Sequence, residues 1–234
     1  MIAAAVTNIN PMTDSLPRPG HSRPVHSNQS TVHPGLAKLV RRHLDSPHRA
    51  PVAVHNQRAF DQLGERLGSA PLVLDAFCGT GMSTAILAAR HPDHLVVGID
   101  KSARRLGRHR RADADNYLLL RADCEAIWQL LVAAGHRAAY HYLFYPNPWP
   151  KSTQLKRRVH GHPAFPLLLE LGGRLELRSN WQVYVEEFGS AMHLAGQSGY
   201  VCLVPAGEEP LSLHEKKYRE SAHELWSYSA AIPP

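Results

Sequence analysis

Short apolar runs alternate with helix-like segments over most of the chain, and this alternation restricts the fold more than any other feature. Strands are predicted at residues 72–77, 95–99, 117–120, 140–145, 174–178 and 200–204, with a last candidate at 223–228. Helices are predicted at residues 35–44, 55–67, 83–90, 102–111, 125–134, 163–171 and 181–195. Strands that alternate with helices form mostly parallel sheets covered on both faces. The sequence therefore predicts an α/β fold with a doubly wound sheet.

The N-terminal segment differs in composition from the rest of the chain. Residues 1–34 contain five prolines, many polar residues and no apolar periodicity. Such a composition buries too little apolar surface to fold by itself. We therefore predict a disordered arm over residues 1–34 and a single domain over residues 35–234.

Charge and hydropathy limit the partners and the location of the protein. The net charge of +6 and the pI near 9.4 favour a polyanionic partner such as a nucleic acid. No apolar run approaches the roughly 20 residues that a membrane helix needs, and the N-terminus has no basic segment followed by an apolar core. The three cysteines are far apart in the sequence, so no disulfide framework is expected. We expect a cytoplasmic protein that does not enter a membrane.

A glycine-containing loop follows the first predicted strand in the sequence D-A-F-C-G-T-G. Gly79 and Gly81 allow a tight turn and a close approach of the backbone to a ligand. Asp75 precedes the loop, Asp100 follows the second strand, and Asp123 follows the third. The carboxyl ends of parallel strands lie at one edge of a sheet, so we expect the three carboxylates at one nucleotide site, with Asp100 accepting hydrogen bonds from a ribose.

The loop favours one cofactor class over another. A dinucleotide site needs a third glycine for the pyrophosphate, and Met82, Ser83 and Thr84 stand where that glycine would be. S-adenosylmethionine carries a positive methionyl group and no phosphate, so it suits an acidic site better than a nicotinamide cofactor does. The alternative is that Asp75 and Asp123 only cap loops or helices.

A rigid, polar and aromatic corner follows the strand predicted at residues 140–145. Pro146 and Pro148 prevent the chain from continuing as a helix or a central strand, and they flank Asn147, with Trp149 next to them. Four cations follow the corner: Lys151, Lys156, Arg157 and Arg158. This combination suits a site that binds a nucleotide and its phosphates, although a proline-rich surface turn with a solvated charge run would have the same composition.

These motifs together resemble one known family. From about residue 72 to residue 226 the chain is similar to the bacterial tRNA (guanine-N7-)-methyltransferases. The similarity includes D-A-F-C-G-T-G with Phe77 in place of the family's first glycine, the segments G-I-D and D-C, and Y-P-N-P-W-P-K followed by K-R-R. It also includes S-N-W-Q-V-Y-V-E and S-L-H-E near the C-terminus. The proline–tryptophan corner with K-R-R is specific to the family, whereas many methyltransferases share the glycine loop.

The resemblance implies a fold, an activity and a set of site residues. It implies a seven-stranded, Rossmann-like class I methyltransferase domain that transfers a methyl group from S-adenosylmethionine to N7 of a guanine in tRNA. The implied cofactor-binding residues are Asp75, Gly79, Gly81, Asp100, Asp123, Cys124 and Asn147. The implied tRNA-binding residues are Lys151, Lys156, Arg157, Arg158, Asn180, Ser212 and Glu215, of which Lys156, Arg157 and Arg158 would bind phosphates. Asn147 would also be the catalytic residue, and no metal is implied.

Two residues depart from the family pattern at positions that matter. Asn147 and Asn180 stand where the family has aspartate. Guanine N7 has a free lone pair, so its methylation needs no base and depends mainly on alignment of that nitrogen with the methyl group. Loss of the carboxylates should weaken acceptance of the guanine N–H groups, because charge-assisted hydrogen bonds are about twice as strong as neutral ones. Two alternatives therefore stay open: a methyltransferase of another base or small molecule, and a non-catalytic protein that binds S-adenosylmethionine and tRNA.

Three other features can be explained by structural roles in a loop, in the core or at the surface. His160 and His162 have no cysteine or carboxylate at metal-ligand spacing, so we expect loop histidines. Aromatic residues at helical spacing, Trp181, Tyr184 and Phe188, are expected in the core. The six Lys and Arg residues between 101 and 111 would form either a solvated helix face or a stripe that contacts RNA phosphates.

Overall fold

The computed structural model describes residues 22–233, which form one seven-stranded sheet with helices on both faces. The strands are β1 (Leu72–Ala76), β2 (Leu95–Ile99), β3 (Tyr117–Leu120), β4 (Ala138–Phe144), β5 (Gly173–Ser179), β6 (Gly199–Leu203) and β7 (Trp226–Ile232). The α-helices are α1 (Leu36–Leu44), α2 (Val54–Gly64), α3 (Met82–Arg90), α4 (Ala103–Leu106), α5 (Cys124–Ala133), α6 (Phe165–Leu171), α7 (Gln182–Leu194) and α8 (Leu213–Glu220). Two 3-10 turns, Ser152–Arg157 and Val159–Gly161, follow the proline corner.

The strand order is β3-β2-β1-β4-β5-β7-β6, and the predicted α/β sheet is confirmed. Strands β1 to β5 pair in parallel, while β7 inserts antiparallel between β5 and β6. The chain reverses direction along the sheet between β1 and β4, where Asp75 lies between Gly98 and Tyr142 in register. Ligands of open α/β sheets bind outside the carboxyl ends of the strands at such a reversal.

Two hydrophobic clusters hold the helices on the sheet. The larger cluster joins one sheet face to α1, α5, α6 and α7, and the smaller one joins the other face to α3. Every residue of β1 and β2 is buried, because central parallel strands are covered on both faces. The larger cluster contains Trp181, Tyr184 and Phe188, so their predicted place in the core is confirmed. None of the helices described is long and apolar enough to cross a membrane.

Three predicted elements differ from those in the structure. The helix predicted at residues 102–111 is limited to α4, none of whose residues is buried, because this basic segment has no apolar face to pack against the sheet. The last strand runs from Trp226 to Ile232 rather than over residues 223–228. Helix α8 was not predicted, although Ser212 and Glu215 have the S-x-x-E spacing of a helix start, and the Ser212 hydroxyl accepts a hydrogen bond from the Glu215 N–H.

Part of the predicted disordered arm lies against the domain. Gln29 Nε2 donates to Glu187 Oε2 at 2.7 Å, and the His33 N–H donates to the same oxygen at 2.9 Å. Asn28 exchanges two hydrogen bonds with Ser152, directly after the proline corner. The composition did not indicate these partners, because they lie more than 100 residues away in the sequence. Residues 22–34 therefore belong to the folded unit, while the prediction for residues 1–21 falls outside the described residues.

Candidate active site

The glycine loop lies between β1 and α3, at the point where the strand order reverses. Phe77, Gly79 and Gly81 all have positive φ angles, of 62°, 63° and 75°. A Cβ on Gly81 would lie 2.7 Å from a methyl carbon of Leu119, so this position requires glycine. A Cβ on Gly79 would meet nothing within 4 Å, which leaves open space over the loop. Phe77 is strained in this conformation, because an aromatic residue replaces the glycine of the family motif.

Asp75 is buried beneath the loop and supports it. Its Oδ2 accepts hydrogen bonds from Ser83 Oγ at 2.6 Å and from Thr84 Oγ1 at 2.7 Å, both in the first turn of α3. Its Oδ1 is buried and has no partner. Burial raises the pKa of Asp75 to about 6. The alternative of a capping aspartate therefore describes Oδ2, while Oδ1 is a buried acceptor without a partner among the described residues.

Asp100 lies at the end of β2, and three groups donate hydrogen bonds to its carboxylate. It accepts hydrogen bonds from the Gly79 N–H at 3.1 Å, from the Ser102 N–H at 2.8 Å and from Arg105 Nη2 at 2.8 Å. The backbone contacts fix the carboxylate beside the glycine loop, as the sequence predicted. Arg105 belongs to none of the motifs in the sequence, and it pairs with Asp100 Oδ1, the oxygen that also accepts from the Ser102 N–H.

The third strand brings Asp123 to the same edge, but Cys124 is not available for side-chain contact. Asp123 accepts from Asn56 Nδ2 at 3.1 Å, and its N–H donates to Asn56 Oδ1 at 2.9 Å. The buried thiol of Cys124 accepts from the Phe77 N–H at 3.3 Å, so its predicted cofactor contact is limited to the backbone. Asn56 lies on α2, outside every recognised motif, so no sequence signal indicates its contact with Asp123.

A pocket of about 290 Å³ opens between the glycine loop and the start of α8. Its apolar wall includes Phe77, Met82 and Phe144, and its polar rim includes Arg105, Arg108, Ser212, His214 and Lys217. Phe144 ends β4 and leads directly into the proline corner. The pocket therefore connects the predicted nucleotide loop with residues of the predicted substrate site.

The proline corner is a strained turn that exposes Asn147. Tyr145 and Trp149 have positive φ angles of 54° and 46°. Asn147 Oδ1 accepts a hydrogen bond from the Trp149 N–H at 3.3 Å, so the amide helps to hold the turn while the side chain faces solvent. Non-glycine residues in this conformation are costly and occur often at functional sites.

Three of the four cations after the corner are exposed. Lys151, Lys156 and Arg157 form no ion pair among residues 22–233. The guanidinium of Arg157 lies 4.8 Å from the centroid of the Trp149 ring, so the indole packs against a cation. These three side chains are free to contact phosphates.

The fourth cation, Arg158, is fully buried, so its predicted phosphate contact is wrong. Its guanidinium pairs with Glu187 of α7 and donates to the Trp149 carbonyl at 3.1 Å. His160 Nε2 lies 2.7 Å from the same Glu187 carboxylate. Burial acts to raise the pKa of Glu187, but the hydrogen bonds from His160 and Arg158 outweigh burial and lower it to about 2. Arg158 therefore links the proline corner to α7 in the core.

His160 is buried and paired with Glu187, and no metal-binding cluster occurs among the described residues.

The two predicted substrate residues of α8 have structural partners. Glu215 is fully buried, and its Oε1 accepts from Arg178 Nη1 at 3.1 Å and from Arg219 Nη2 at 2.8 Å. This carboxylate is therefore not free for a guanine, and the prediction for Glu215 is corrected to a positioning role. Ser212 caps α8 and lines the pocket described above.

Asn180 follows β5 and is partly exposed. Its Nδ2 donates to His223 Nδ1 at 3.1 Å, and His223 Nε2 donates to the Ser22 carbonyl at 3.1 Å. The amide thus links the end of β5 to the segment that begins the described chain. An aspartate here, as in the family pattern, would need a donating His223 Nδ1 instead of an accepting one.

Comparison with known proteins gives the family. The profile of a family described as a putative methyltransferase matches residues 69–222, more than half of the chain. Curated relatives named tRNA (guanine-N(7)-)-methyltransferase include one from Yersinia pseudotuberculosis, 30% identical over 67% of this chain and 70% of the relative. Another, from Treponema pallidum, is 32% identical over 55% of this chain and 54% of the relative, so the chain matches about half the length of that relative.

Similar solved structures agree on the fold. The 16S rRNA methyltransferase KamB has a TM-score of 0.53 and 18% identity over 75% of this chain and 93% of its own. The 16S rRNA (adenine(1408)-N(1))-methyltransferase of Catenulisporales acidiphilia has a TM-score of 0.51 and 20% identity over 74% of this chain and 92% of its own. At these identities the similarity shows the methyltransferase fold alone. From the profile match and the curated relatives, the chain belongs to the putative methyltransferase family whose members include bacterial tRNA (guanine-N(7)-)-methyltransferases.

Proposed function

We propose that this protein transfers a methyl group from S-adenosylmethionine to N7 of a guanine in tRNA. The observation that carries the proposal is the arrangement at one edge of the sheet. The carboxylate of Asp100 lies beside the open space over Gly79, and the wall of the same pocket continues into the proline corner. A cofactor site and a substrate site that share a wall are what direct methyl transfer requires. The names of the curated relatives support the choice of substrate.

The residues of the loop suit S-adenosylmethionine. Asp100 offers a fixed carboxylate for the ribose hydroxyls. Asp75 is fully buried beneath the loop, so it would act on the positive methionyl group through its charge and by holding the loop, not by direct contact. The absence of a side chain at Gly79, where a Cβ would meet nothing within 4 Å, leaves the loop backbone open to a close ligand. When bound, the cofactor supplies an electrophilic methyl group on a sulfonium. Asp75, Gly79, Gly81, Asp100 and Asp123 would hold it.

Asn147 would orient the guanine rather than remove a proton. The N7 lone pair would form the new N–C bond while the S–CH3 bond breaks and leaves its electron pair on the sulfur as a neutral thioether, so no general base is needed. The Asn147 side chain is exposed at a rigid corner, and its oxygen already accepts from the Trp149 N–H. A carbonyl oxygen has two lone pairs, so one remains to accept an N–H of the base. Alignment of the reacting atoms is then the main catalytic contribution.

The tRNA would be held by the exposed cations of the corner. Lys151, Lys156 and Arg157 follow Asn147 within ten positions of the sequence, and the net charge of the chain is +6. Phosphate contacts from Lys and Arg supply most of the sequence-independent affinity for nucleic acids. Because tRNA is the substrate, we infer a cytoplasmic location.

The test is methyl transfer from labelled S-adenosylmethionine to bulk tRNA, followed by nucleoside analysis. We expect 7-methylguanosine as the labelled product. The variant Asp100→Asn keeps the shape of the side chain and should lose most of the transfer, because one charged acceptor becomes a donor. Label in a methylated adenosine or cytidine would indicate another base as the target. Binding of both ligands without transfer would indicate a non-catalytic protein, and either result would reject the proposal.

A further inference from the structure

A second basic surface lies beside the proline corner, in a groove between α1 and the 3-10 turn Ser152–Arg157. The groove has a volume of about 1020 Å³. Four of its lining residues are cations: Lys38, Arg41, Arg42 and Lys156. Its floor includes the apolar side chains of Leu39 and Leu155, and its lining also includes the carboxylate of Asp45. The groove starts at Ser152, the residue after Lys151, so it continues directly from the proposed substrate site.

No side-chain contact within the described part of the chain accounts for the four cations. Within residues 22–233, none of their side chains forms a hydrogen bond or an ion pair, although Asp45 lies one helical turn from Arg41. All four are exposed. The cations are therefore available to an external anion along the whole groove.

The positions on α1 are unfavourable for the helix itself. Lys38, Arg41 and Arg42 are three and four residues apart, so like charges share one face and repel by about 0.2–0.5 kcal/mol per pair. Lys38 lies in the first turn of the helix, where the macrodipole favours anions, and that turn has no acidic residue. Arg41 and Arg42 do lie in the last turn, where cations are favoured, but that benefit does not extend to Lys38. An anion bound in the groove would reduce both the repulsion between the like charges and the unfavourable interaction of Lys38 with the helix macrodipole.

We propose that this groove binds the sugar–phosphate backbone of the tRNA beyond the nucleotide that is methylated. A concave surface with unpaired cations on both walls tracks a phosphate backbone, and the apolar floor suits riboses. This inference rests on the proposed function for the identity of the RNA. It adds Lys38, Arg41 and Arg42 to the substrate surface, which the sequence motifs did not include.

Two variants with equal charge loss test the groove. The first is Lys38→Ala, Arg41→Ala, Arg42→Ala. The control is Arg58→Ala, Arg90→Ala, Arg174→Ala, which changes exposed arginines of α2, α3 and β5 that do not line the groove and have no side-chain partner among the described residues. Alanine is the best helix former, so α1 should remain folded. A milder variant, Lys38→Gln, Arg42→Gln, keeps most of each aliphatic stem.

The measurement is tRNA affinity over a series of salt concentrations. We expect the groove variant to lower the salt slope by about 2–3, at roughly 0.7–0.9 per phosphate contact, and the double variant by about 1.4–1.8. The control should keep the wild-type slope, and S-adenosylmethionine affinity should not change in any variant. In methylation assays, KM for tRNA should rise in the groove variants while kcat at saturating tRNA stays unchanged.

The outcomes separate this inference from the proposed function. Equal salt slopes for the groove variant and the control would overturn the groove as a binding surface, and the methylation product would be unaffected. If the wild type methylates no tRNA guanine, the proposed function fails. The salt slopes would still decide whether the groove binds the RNA backbone.

Discussion

The guanidinium of Arg105, which lines the candidate cofactor pocket, pairs with the carboxylate of Asp100 at 2.8 Å. The carboxylate is nearly buried, whereas 46% of the Arg105 side chain is exposed. The backbone N–H groups of Gly79 and Ser102 also donate to this carboxylate. We therefore expect a cofactor ribose that binds Asp100 to displace the partly exposed guanidinium of Arg105 more easily than the two backbone donors.

The variant Arg105→Ala should bind S-adenosylmethionine more tightly. The Arg105 end of this ion pair is solvated, so its loss should cost about 1 kcal/mol or less; since 1.4 kcal/mol is tenfold, the gain should be up to about fivefold. Isothermal calorimetry measures it, with Arg104→Ala as a matched control on the same helix that does not contact Asp100. Weaker binding by Arg105→Ala would show that Arg105 contacts the cofactor instead of competing with it.

The residues of the K-R-R segment should have two functions: Lys156 and Arg157 bind tRNA, and Arg158 stabilises the fold. Replacing Lys156 and Arg157 with Ala should lower tRNA affinity and reduce the salt slope by about 1.4–1.8. Stability should fall by no more than about 1 kcal/mol, because both side chains are exposed and only the contact of Arg157 with Trp149 is lost. Replacing Arg158 with Ala should instead destabilise the fold by about 3–5 kcal/mol, because it leaves Glu187 buried without its cation. Denaturant unfolding and tRNA binding, measured on both variants, check the division. Equal stability of Arg158→Ala and the wild type would contradict it.

The double variant Asn147→Asp, Asn180→Asp should raise methylation of tRNA guanine. A carboxylate accepts the donor edge of guanine more strongly than an amide, and each 1.4 kcal/mol gained in the transition state gives about tenfold in rate. The carboxylate introduced at position 147 would still accept from the Trp149 N–H. The carboxylate introduced at position 180 would accept from His223 in its protonated form or in the Nδ1–H tautomer. Single-turnover transfer with nucleoside analysis measures the effect. Less 7-methylguanosine in the double variant would mean that the amides serve the reaction.

Stability should fall in acid because of His141. This histidine is fully buried in β4, beside Trp128, and neither ring nitrogen has a partner. Burial lowers the pKa of His141 to about 3, from 6.5 in the unfolded chain. Between these values the unfolded state binds one more proton, so stability decreases by up to about 1.4 kcal/mol for each unit that pH falls below 6.5.

The variant His141→Leu should lose this pH dependence. Relative to the wild type it should become more stable by about 2 kcal/mol between pH 7.5 and pH 5, as measured by urea unfolding at both values. The control His193→Leu changes an exposed histidine of α7 and should leave the pH dependence of the wild type. An identical pH dependence in His141→Leu and the wild type would show that His141 does not cause the acid sensitivity.

Residues and their spacing were sufficient to predict the sheet and the strand edge that carries the candidate cofactor site. The predicted bounds of β2 and β3 agree with the structure, because a short apolar run between polar residues is defined by the local sequence alone. The places of Gly79, Gly81 and Asp100 at one edge followed from the parallel alternation of strands and helices. These features depend on residues close together in the sequence, so they could be predicted without knowledge of the tertiary structure.

The tertiary structure alone decided which charged residues are free to act. Arg157 and Arg158 are neighbours in the sequence, yet one packs over Trp149 at the surface and the other pairs with Glu187 in the core. Glu215 belongs to a recognised motif but is held by Arg178, 37 positions away. A charged side chain is neutralised by partners that are distant in the sequence, and their proximity depends on how helices and strands pack. For this reason the sequence indicated the chemistry of the site, and only the packing showed which side chains remain available to a ligand.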